Sequence, residues 1–224
     1  MIEAKDIFED AMEWLKDHYG NWCFFTERDI VWVLQNHLIS LIRGKSLPYR
    51  LFYNFEMYPE NKKGKNKKLY QGSDAKNKES MAADLVIFND DKKIVEVAIE
   101  LKYEPSHQRK YNPKAKIAMQ PDIEPTAIMH GKYPVAFFTK RQAGNGGSGE
   151  EDIERVIKYV TDMKACYAYA IFIDEGRYYR GIDDKPFPRS EWRDWELSNG
   201  LFSQVSVLWS QVASTNIEGV QPIW

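Results

Sequence analysis

Three charged residues lie near the ends of two apolar segments, and together they could support metal-assisted chemistry. Residues 83–89 and 93–103 are predicted strands around the turn sequence NDDK, a pattern typical of a hairpin. Because side chains alternate along a strand, Glu100 and Lys102 share one face of the second strand, about 7 Å apart. In an antiparallel hairpin, Asp84 near the start of the first strand lies opposite these two residues.

The chemistry of this trio depends on what holds its two carboxylates together. Neighbouring carboxylates repel each other unless a cation lies between them. Hard divalent cations such as Mg²⁺ bind one or two carboxylates together with water and phosphate oxygens. A lysine beside such a cation can orient or deprotonate a water molecule and stabilise developing phosphate charge. These residue types therefore suit metal-assisted hydrolysis of a phosphodiester bond.

An ordinary strand surface explains the same residues equally simply. One face of the second strand is expected to carry Val95, Val97, Ile99 and Leu101, and the other Glu96, Ala98, Glu100 and Lys102. On a solvent-facing strand, Glu100 and Lys102 would form an exposed ion pair that contributes little to stability. The spacing alone leaves both interpretations open.

Apolar periodicity predicts the elements that must position this hairpin. A first helix is indicated over residues 3–18, and a second begins near Thr26 and ends near Arg43. Thr26 is a suitable N-cap, and Asp29, three residues on, can complete a capping box. A strand, YRLFYNFEMY, is predicted directly after Pro48.

A third helix and two further strands are predicted after the hairpin. The helix covers about 149–164 and buries Ile153, Val156, Ile157 and Val160. The apolar segments CYAYAIFID and FSQVSVLW then read as strands. The order helix, three-strand meander, helix, strand requires a crossover connection, so we expect an α/β fold with a mixed sheet flanked by helices on both faces.

The order of these residues and elements resembles the PD-(D/E)xK nuclease superfamily, which has the restriction-endonuclease-like fold. The resemblance rests on Asp84, fifteen intervening residues and then Glu100-Leu101-Lys102, and it covers roughly residues 26–175. It implies that Asp84, Glu100 and the backbone carbonyl of Leu101 bind Mg²⁺ or Mn²⁺. It also implies that Lys102 assists the attacking water.

The same resemblance implies a role for an acidic residue on the first core helix. Glu27 lies at helical spacing from the buried stripe of the second predicted helix and is the candidate. A first-turn acid favoured by the helix dipole explains Glu27 as well. The sequence departs from the family pattern at Ala83, where proline is frequent, and in a lysine-rich insertion over about 59–80.

A basic segment suggests a nucleic-acid partner. Residues 62–116 hold fourteen lysines and arginines against eight acids, a net charge of +6, whereas the rest of the chain has a net charge of −8. Such asymmetry favours one electropositive face that neutralises phosphates, although a solvated lysine-rich loop fits as well. The candidate phosphate contacts, with DNA as the expected partner, are Lys62, Lys63, Lys65, Lys67, Lys68, His107, Arg109, Lys110, Lys114 and Lys116.

Composition bounds the remaining expectations. The chain has 224 residues, of which 43% are hydrophobic, and we expect one domain over 1–224 with an elaboration over about 176–224. An apolar run of ~18 residues is absent, so no membrane partner is expected. The acidic N-terminus is unlike a signal peptide, and Cys23 and Cys166 are expected to be reduced thiols, which favours a cytoplasmic location. A homodimer is compatible with the sequence.

Two functions remain open from the sequence. The first is a Mg²⁺-dependent endonuclease that hydrolyses phosphodiester bonds in DNA. The second is a catalytically inactive module that keeps the nuclease fold and binds nucleic acid or a protein partner, because retention of a motif does not prove turnover.

Overall fold

The computed structural model describes most of the expected core. The described ranges are residues 2–22, 24, 26–57, 81–106, 149–177, 179–180, 189–198 and 203–214. Three α-helices lie within them: α1 (Ala4–His18), α2 (Glu27–Gly44) and α3 (Gly149–Thr161). The insertion predicted over 59–80 lies outside these ranges.

Six strands within the described residues form one mixed sheet. They are β1 (Tyr49–Met57), β2 (Met81–Asn89), β3 (Ile94–Glu104), β4 (Tyr167–Asp174), β5 (Ser190–Glu196) and β6 (Gln204–Ala213). The spatial order is β1-β2-β3-β4-β6-β5. Strands β1, β2 and β3 form an antiparallel meander, and β4 pairs in parallel with β3. The predicted α/β fold, with a mixed sheet and a helix before the parallel strand, is confirmed.

Helix α2 begins where the sequence predicts. The backbone N–H of Thr26 donates a hydrogen bond to Asp29 Oδ2 at 2.8 Å, which completes the predicted capping interaction. Ile30, Leu34 and Leu38 lie on the buried face of the helix. This cap fixes the first turn of α2 and hence the position of Glu27.

Helices cover both faces of the sheet. Helices α1 and α2 pack on one face, in a core cluster that includes Phe8, Leu38 and Ile99. Helix α3 packs on the other face, where Val156 and Ala98 belong to a second cluster. Strand β3 is therefore buried on both sides, and its polar residues on the α3 face lie beneath a helix.

The structure corrects the expected alternation at one end of β3. Ile87 pairs with Val97 and Phe88 with Val95, so Glu96 is the extra residue of a β-bulge. Because the bulge reverses the alternation, Val95 packs with the α3-side cluster and not with Val97. From Val97 to Lys102 the predicted alternation holds.

Strand β5 was not predicted from the sequence. Its segment SEWRDWE is mostly exposed and charged, because β5 pairs only with β6 at the edge of the sheet. Trp195 and Trp209 are buried in the core on the side of α1 and α2. Among the described residues, none of the helices is long and apolar enough to cross a membrane.

Candidate active site

Asp84 and Glu100 lie at the same end of the antiparallel pair of β2 and β3. Leu85 pairs with Ile99, so the register extended by one residue places Asp84 opposite Glu100. The Asp84 Oδ2 accepts a hydrogen bond from the backbone N–H of Leu101 at 2.8 Å. This contact ties the Asp84 carboxylate to the backbone of β3, at the residue predicted to supply a carbonyl ligand.

Glu100 is buried between β3 and α3. Glu100 is 1% exposed, and its Oε1 accepts a short hydrogen bond from the Tyr159 hydroxyl. Its Oε2 lies 3.1 Å from Arg155 Nη1 in an ion pair, but it accepts no hydrogen bond from any residue that the structure describes. Oε2 is therefore the oxygen of Glu100 that is open to a further partner.

Lys102 connects the strand to helix α2. Its Nζ lies 3.6 Å from Glu27 Oε2, and both side chains are about one-third exposed, at 32% and 31%. Glu27 is the first residue of α2, held there by the cap at Thr26. The structure thus brings Glu27 to the predicted trio, although the two residues are far apart in the sequence.

The pKa values of the two glutamates reflect burial among like charges. Burial raises the pKa of Glu100 to about 8, and Asp84 adds to the increase, whereas Arg155 and Tyr159 oppose it. Burial also raises the pKa of Glu27 to about 7, opposed by Lys102 and assisted by Asp84. Both shifts have the direction expected for carboxylates that are buried close to other carboxylates.

Lys102 keeps its proton in this environment. Burial alone would lower the pKa of Lys102, but the surrounding carboxylates of Asp152, Glu27, Asp84 and Glu100 outweigh that effect and raise it. A lysine that stays protonated cannot take a proton from water. A protonated lysine suits the orientation of water and the stabilisation of phosphate charge, both of which the sequence allowed.

Helix α3 contributes three polar residues that were missed in the sequence. Asp152, Arg155 and Tyr159 follow one another at spacings of three and four, so they share a helix face. Tyr159 and Arg155 contact Glu100, while Arg155 Nη1 also lies 3.5 Å from Asp152 Oδ1. The helical spacing of these three polar residues inside an apolar stripe was the signal available in the sequence.

A pocket opens beside these residues. Its polar lining comes from Glu100, Lys102 and Asp152, and its apolar lining includes Phe172 of β4 and Leu208 of β6. Two carboxylates and a lysine in its lining give the pocket charged groups that a cation or a small charged ligand would contact.

The donor chemistry of the site fits Mg²⁺ or Mn²⁺, although the side chains are not grouped to hold one. Among the described residues, no three or more histidine, cysteine, aspartate or glutamate side chains form a ready metal site. Glu100 Oε2 and Asp152 Oδ2 are nevertheless buried carboxylate oxygens that accept no hydrogen bond from a described residue. Carboxylate oxygens are the ligands that these hard cations prefer.

The predicted phosphate contacts lie outside the described residues. Lys62, Lys63, Lys65, Lys67 and Lys68 belong to one undescribed segment, residues 58–80. The second undescribed segment, 107–148, contains His107, Arg109, Lys110, Lys114 and Lys116. Of the two predicted thiols, Cys166 is free and Cys23 lies outside the described residues.

Comparisons of the sequence with protein-family models and with curated proteins, and of the structure with solved structures, find no match. Conclusions about function therefore depend on the residues of this site.

Proposed function

We propose that this protein is a metal-dependent nuclease that hydrolyses phosphodiester bonds in DNA. One observation carries the proposal: Asp84, Glu100, Lys102 and Glu27 lie together at one end of β2 and β3, and carboxylates beside a lysine are residue types that metal-assisted phosphate chemistry uses. An exposed strand pair explains this arrangement poorly, because Glu100 is 1% exposed and lies under a helix.

The order of elements supports a restriction-endonuclease-like core. Helix α2 precedes the antiparallel meander of β1, β2 and β3, and α3 precedes β4, which is parallel to β3. The PD-(D/E)xK superfamily has this order, with its acidic residues and lysine on the second and third strands. The antiparallel addition of β6 and β5 beyond β4 is then an elaboration of that core.

Mg²⁺ or Mn²⁺ would be held by the carboxylates of Asp84 and Glu100, with the Leu101 carbonyl as a further ligand. When bound, such a cation lowers the pKa of water and neutralises charge that develops on a phosphoryl group. In this chain, the hydrogen bond from Leu101 N–H orients Asp84, and the Tyr159 hydroxyl orients Glu100.

Lys102 and Glu27 would act on the water and the phosphate. Lys102 remains protonated, so its Nζ can donate a hydrogen bond to the attacking water and stabilise negative charge on phosphate oxygens. Glu27 Oε2, at 3.6 Å from that Nζ, holds the lysine over the strand ends. Loss of Glu27 would therefore reduce the rate through misplacement of Lys102.

DNA is proposed as the substrate because of the charge of residues 62–116. This stretch has a net charge of +6 in a chain of net charge −2, and it contains Asp84, Glu100 and Lys102 themselves. A polyanionic backbone is the partner that such a distribution favours. The proposed catalytic residues and the proposed phosphate contacts then belong to one stretch of the sequence.

A non-catalytic binding module is the second candidate, and the internal pairing of the site favours it. Glu100 already has Tyr159 and Arg155 as partners, and Lys102 has Glu27. Side chains that are paired in this way can serve as a structural network without turnover. Binding of nucleic acid or of a protein partner would then be the function of this fold.

A cleavage panel decides between the two candidates. Plasmid, linear and single-stranded DNA and RNA are incubated with the protein in Mg²⁺, in Mn²⁺ and in chelator. We expect cleavage of DNA that requires the cation and is lost in Glu100→Gln, while Glu154→Gln, the same change at an exposed position of α3, cleaves like the parent. Intact substrates under every condition would favour the binding module.

A further inference from the structure

Asp152 is a buried carboxylate that the proposed mechanism does not use. Asp152 is 3% exposed, although it lies in the first turn of α3. Its Oδ1 lies 3.5 Å from Arg155 Nη1, and its Oδ2 is buried without a hydrogen-bond partner among the described residues. A buried carboxylate oxygen that lacks a partner is costly, so its retention calls for a partner that none of the described residues supplies.

Asp152 and Glu100 face the same pocket and share one counter-ion. Both residues line the pocket, together with Lys102. Arg155 Nη1 contacts Glu100 Oε2 at 3.1 Å and Asp152 Oδ1 at 3.5 Å. One positively charged nitrogen therefore lies between two carboxylates, which is the position that a cation would take.

Arg155 is also held by contacts that survive without either carboxylate. Its Nη2 donates a hydrogen bond to the backbone carbonyl of Ala82 at 2.7 Å, and lies 3.4 Å from the Tyr159 hydroxyl. The guanidinium can keep these anchors on β2 and α3 if its Nη1 is moved away from the carboxylates. The side chain is 31% exposed, so water can replace the contacts that it loses.

We propose that Asp152 is a further ligand of the divalent cation, beside Glu100, and that the Arg155 guanidinium occupies the space between these two carboxylates until the cation displaces it. The inference rests on the proposed metal-dependent function. Among the described residues, no three or more histidine, cysteine, aspartate or glutamate side chains form a metal site, and the arginine already spans two of the carboxylates.

Charge and distance both favour replacement of the Arg155 guanidinium by the cation. A divalent cation offers twice the charge of a guanidinium, and Mg²⁺ takes oxygen ligands at about 2.1 Å. The arginine contacts are longer, at 3.1 and 3.5 Å, and the one to Glu100 lacks hydrogen-bond geometry. The two carboxylates would therefore move toward each other when the cation replaces Arg155, so that it binds Glu100 Oε2 and a carboxylate oxygen of Asp152.

Calorimetric titration of Mg²⁺ and of Mn²⁺ into the chelator-treated protein tests this inference without a substrate. Asp152→Asn keeps the size of the side chain but removes its charge, and we expect the cation affinity to fall about tenfold or more. Arg155→Gln removes the competing positive charge, and we expect it to bind the cation at least as tightly as the parent. Arg155→Met, which also removes the positive charge, replaces it if Arg155→Gln does not fold by circular dichroism.

The control variant is Glu154→Gln, which removes one negative charge from an exposed position of the same helix. It should bind the cation with the affinity of the parent. If Asp152 serves only to hold Arg155, Asp152→Asn frees the arginine and the affinity stays equal or rises, which overturns the inference. Weaker binding in Arg155→Gln would overturn the displacement step.

These failures are distinguishable from failure of the proposed function. If the parent binds the cation and Glu100→Gln loses it while Asp152→Asn does not, only the role of Asp152 is wrong. If the parent neither binds the cation nor cleaves any substrate, the nuclease proposal is wrong and the inference is wrong with it.

Discussion

The Tyr159 hydroxyl of α3 donates a hydrogen bond to Glu100 Oε1 on β3, across a separation of 59 residues. Burial and the adjacent Glu100 carboxylate raise the pKa of Tyr159, so the hydroxyl stays a donor. The bond fixes one oxygen of Glu100 and leaves the other, Oε2, toward Arg155 and the pocket. Helix α3 thus determines which oxygen of the central carboxylate can receive a ligand.

Removal of this donor should be measurable as a loss of stability. In Tyr159→Phe a buried carboxylate oxygen loses its hydrogen bond, and we expect the free energy of unfolding to fall by about 1–3 kcal/mol. Urea denaturation followed by circular dichroism measures the change. Tyr53→Phe, at a residue 47% exposed on β1, is the control and should match the parent. Equal stability of the two variants would show that the bond contributes nothing.

Replacement of Lys102 and replacement of Glu100 should have different effects on cation affinity and cleavage. Lys102→Ala removes no ligand and takes away a competing positive charge, so cation affinity should persist or increase while cleavage falls by about 10²-fold or more. Glu100→Gln should reduce both together. Calorimetry beside a cleavage assay separates the two effects, and Lys158→Ala, at an exposed position of α3, is the control for lysine loss. Cleavage by Lys102→Ala at the parent rate would exclude a catalytic role.

The pKa shifts of Glu27 and Glu100 predict how stability depends on pH without a cation. Their folded pKa values, about 7 and about 8, lie above the ordinary value of 4.5, so the folded state binds more protons than the unfolded state. Their contribution to stability is complete below pH 4.5 and is lost as the pH rises through about 8. Urea denaturation in chelator across this range measures it.

The double variant Glu27→Gln, Glu100→Gln tests the assignment of this pH dependence. It lacks both titrating groups, so the decline between pH 4.5 and 8 should be smaller than in the parent. Mg²⁺ should stabilise the parent more at pH 8 than at pH 5, because the cation favours ionised carboxylates. An identical decline in parent and double variant would assign it to other groups.

The packing of α2 against the core should affect both the stability of the protein and the cleavage rate at the site. Leu38 lies on the buried face of α2 and is 0% exposed. Leu38→Ala should therefore lower the free energy of unfolding by about 2–5 kcal/mol. Because α2 carries Glu27, we expect a reduced cleavage rate as well. The exposed Trp32 of the same helix, replaced by Ala, serves as the comparison and should lose much less stability. Equal losses would mean that α2 does not anchor through Leu38.

The lysines at 62–68 should report on phosphate contacts through salt. Replacement of these five lysines by serine should weaken binding of all DNA sequences alike. The slope of log K against log salt should become shallower by about 0.9 for each duplex phosphate contact that is lost. Binding measured by fluorescence anisotropy from low to moderate salt gives both values. An unchanged slope would show that these lysines are solvated and do not contact phosphates.

The sequence by itself determined the three helices, the strands other than β5, and the grouping of Asp84, Glu100 and Lys102. Alternation along a strand and the 3.6-residue period of a helix are local rules, so they place side chains on faces without knowledge of the rest of the chain. The N-cap at Thr26 is likewise local, and it placed the start of α2, and with it Glu27, within one residue.

Tertiary structure decided the partners of Glu100. Asp152, Arg155 and Tyr159 reach it only because the crossover packs α3 over β3, and no local rule specifies which strand a helix face will cover. The bulge at Glu96 and the edge strand β5 also depend on pairing between distant segments. The sequence therefore specified which residues could do the chemistry, whereas long-range packing determined which charges surround them.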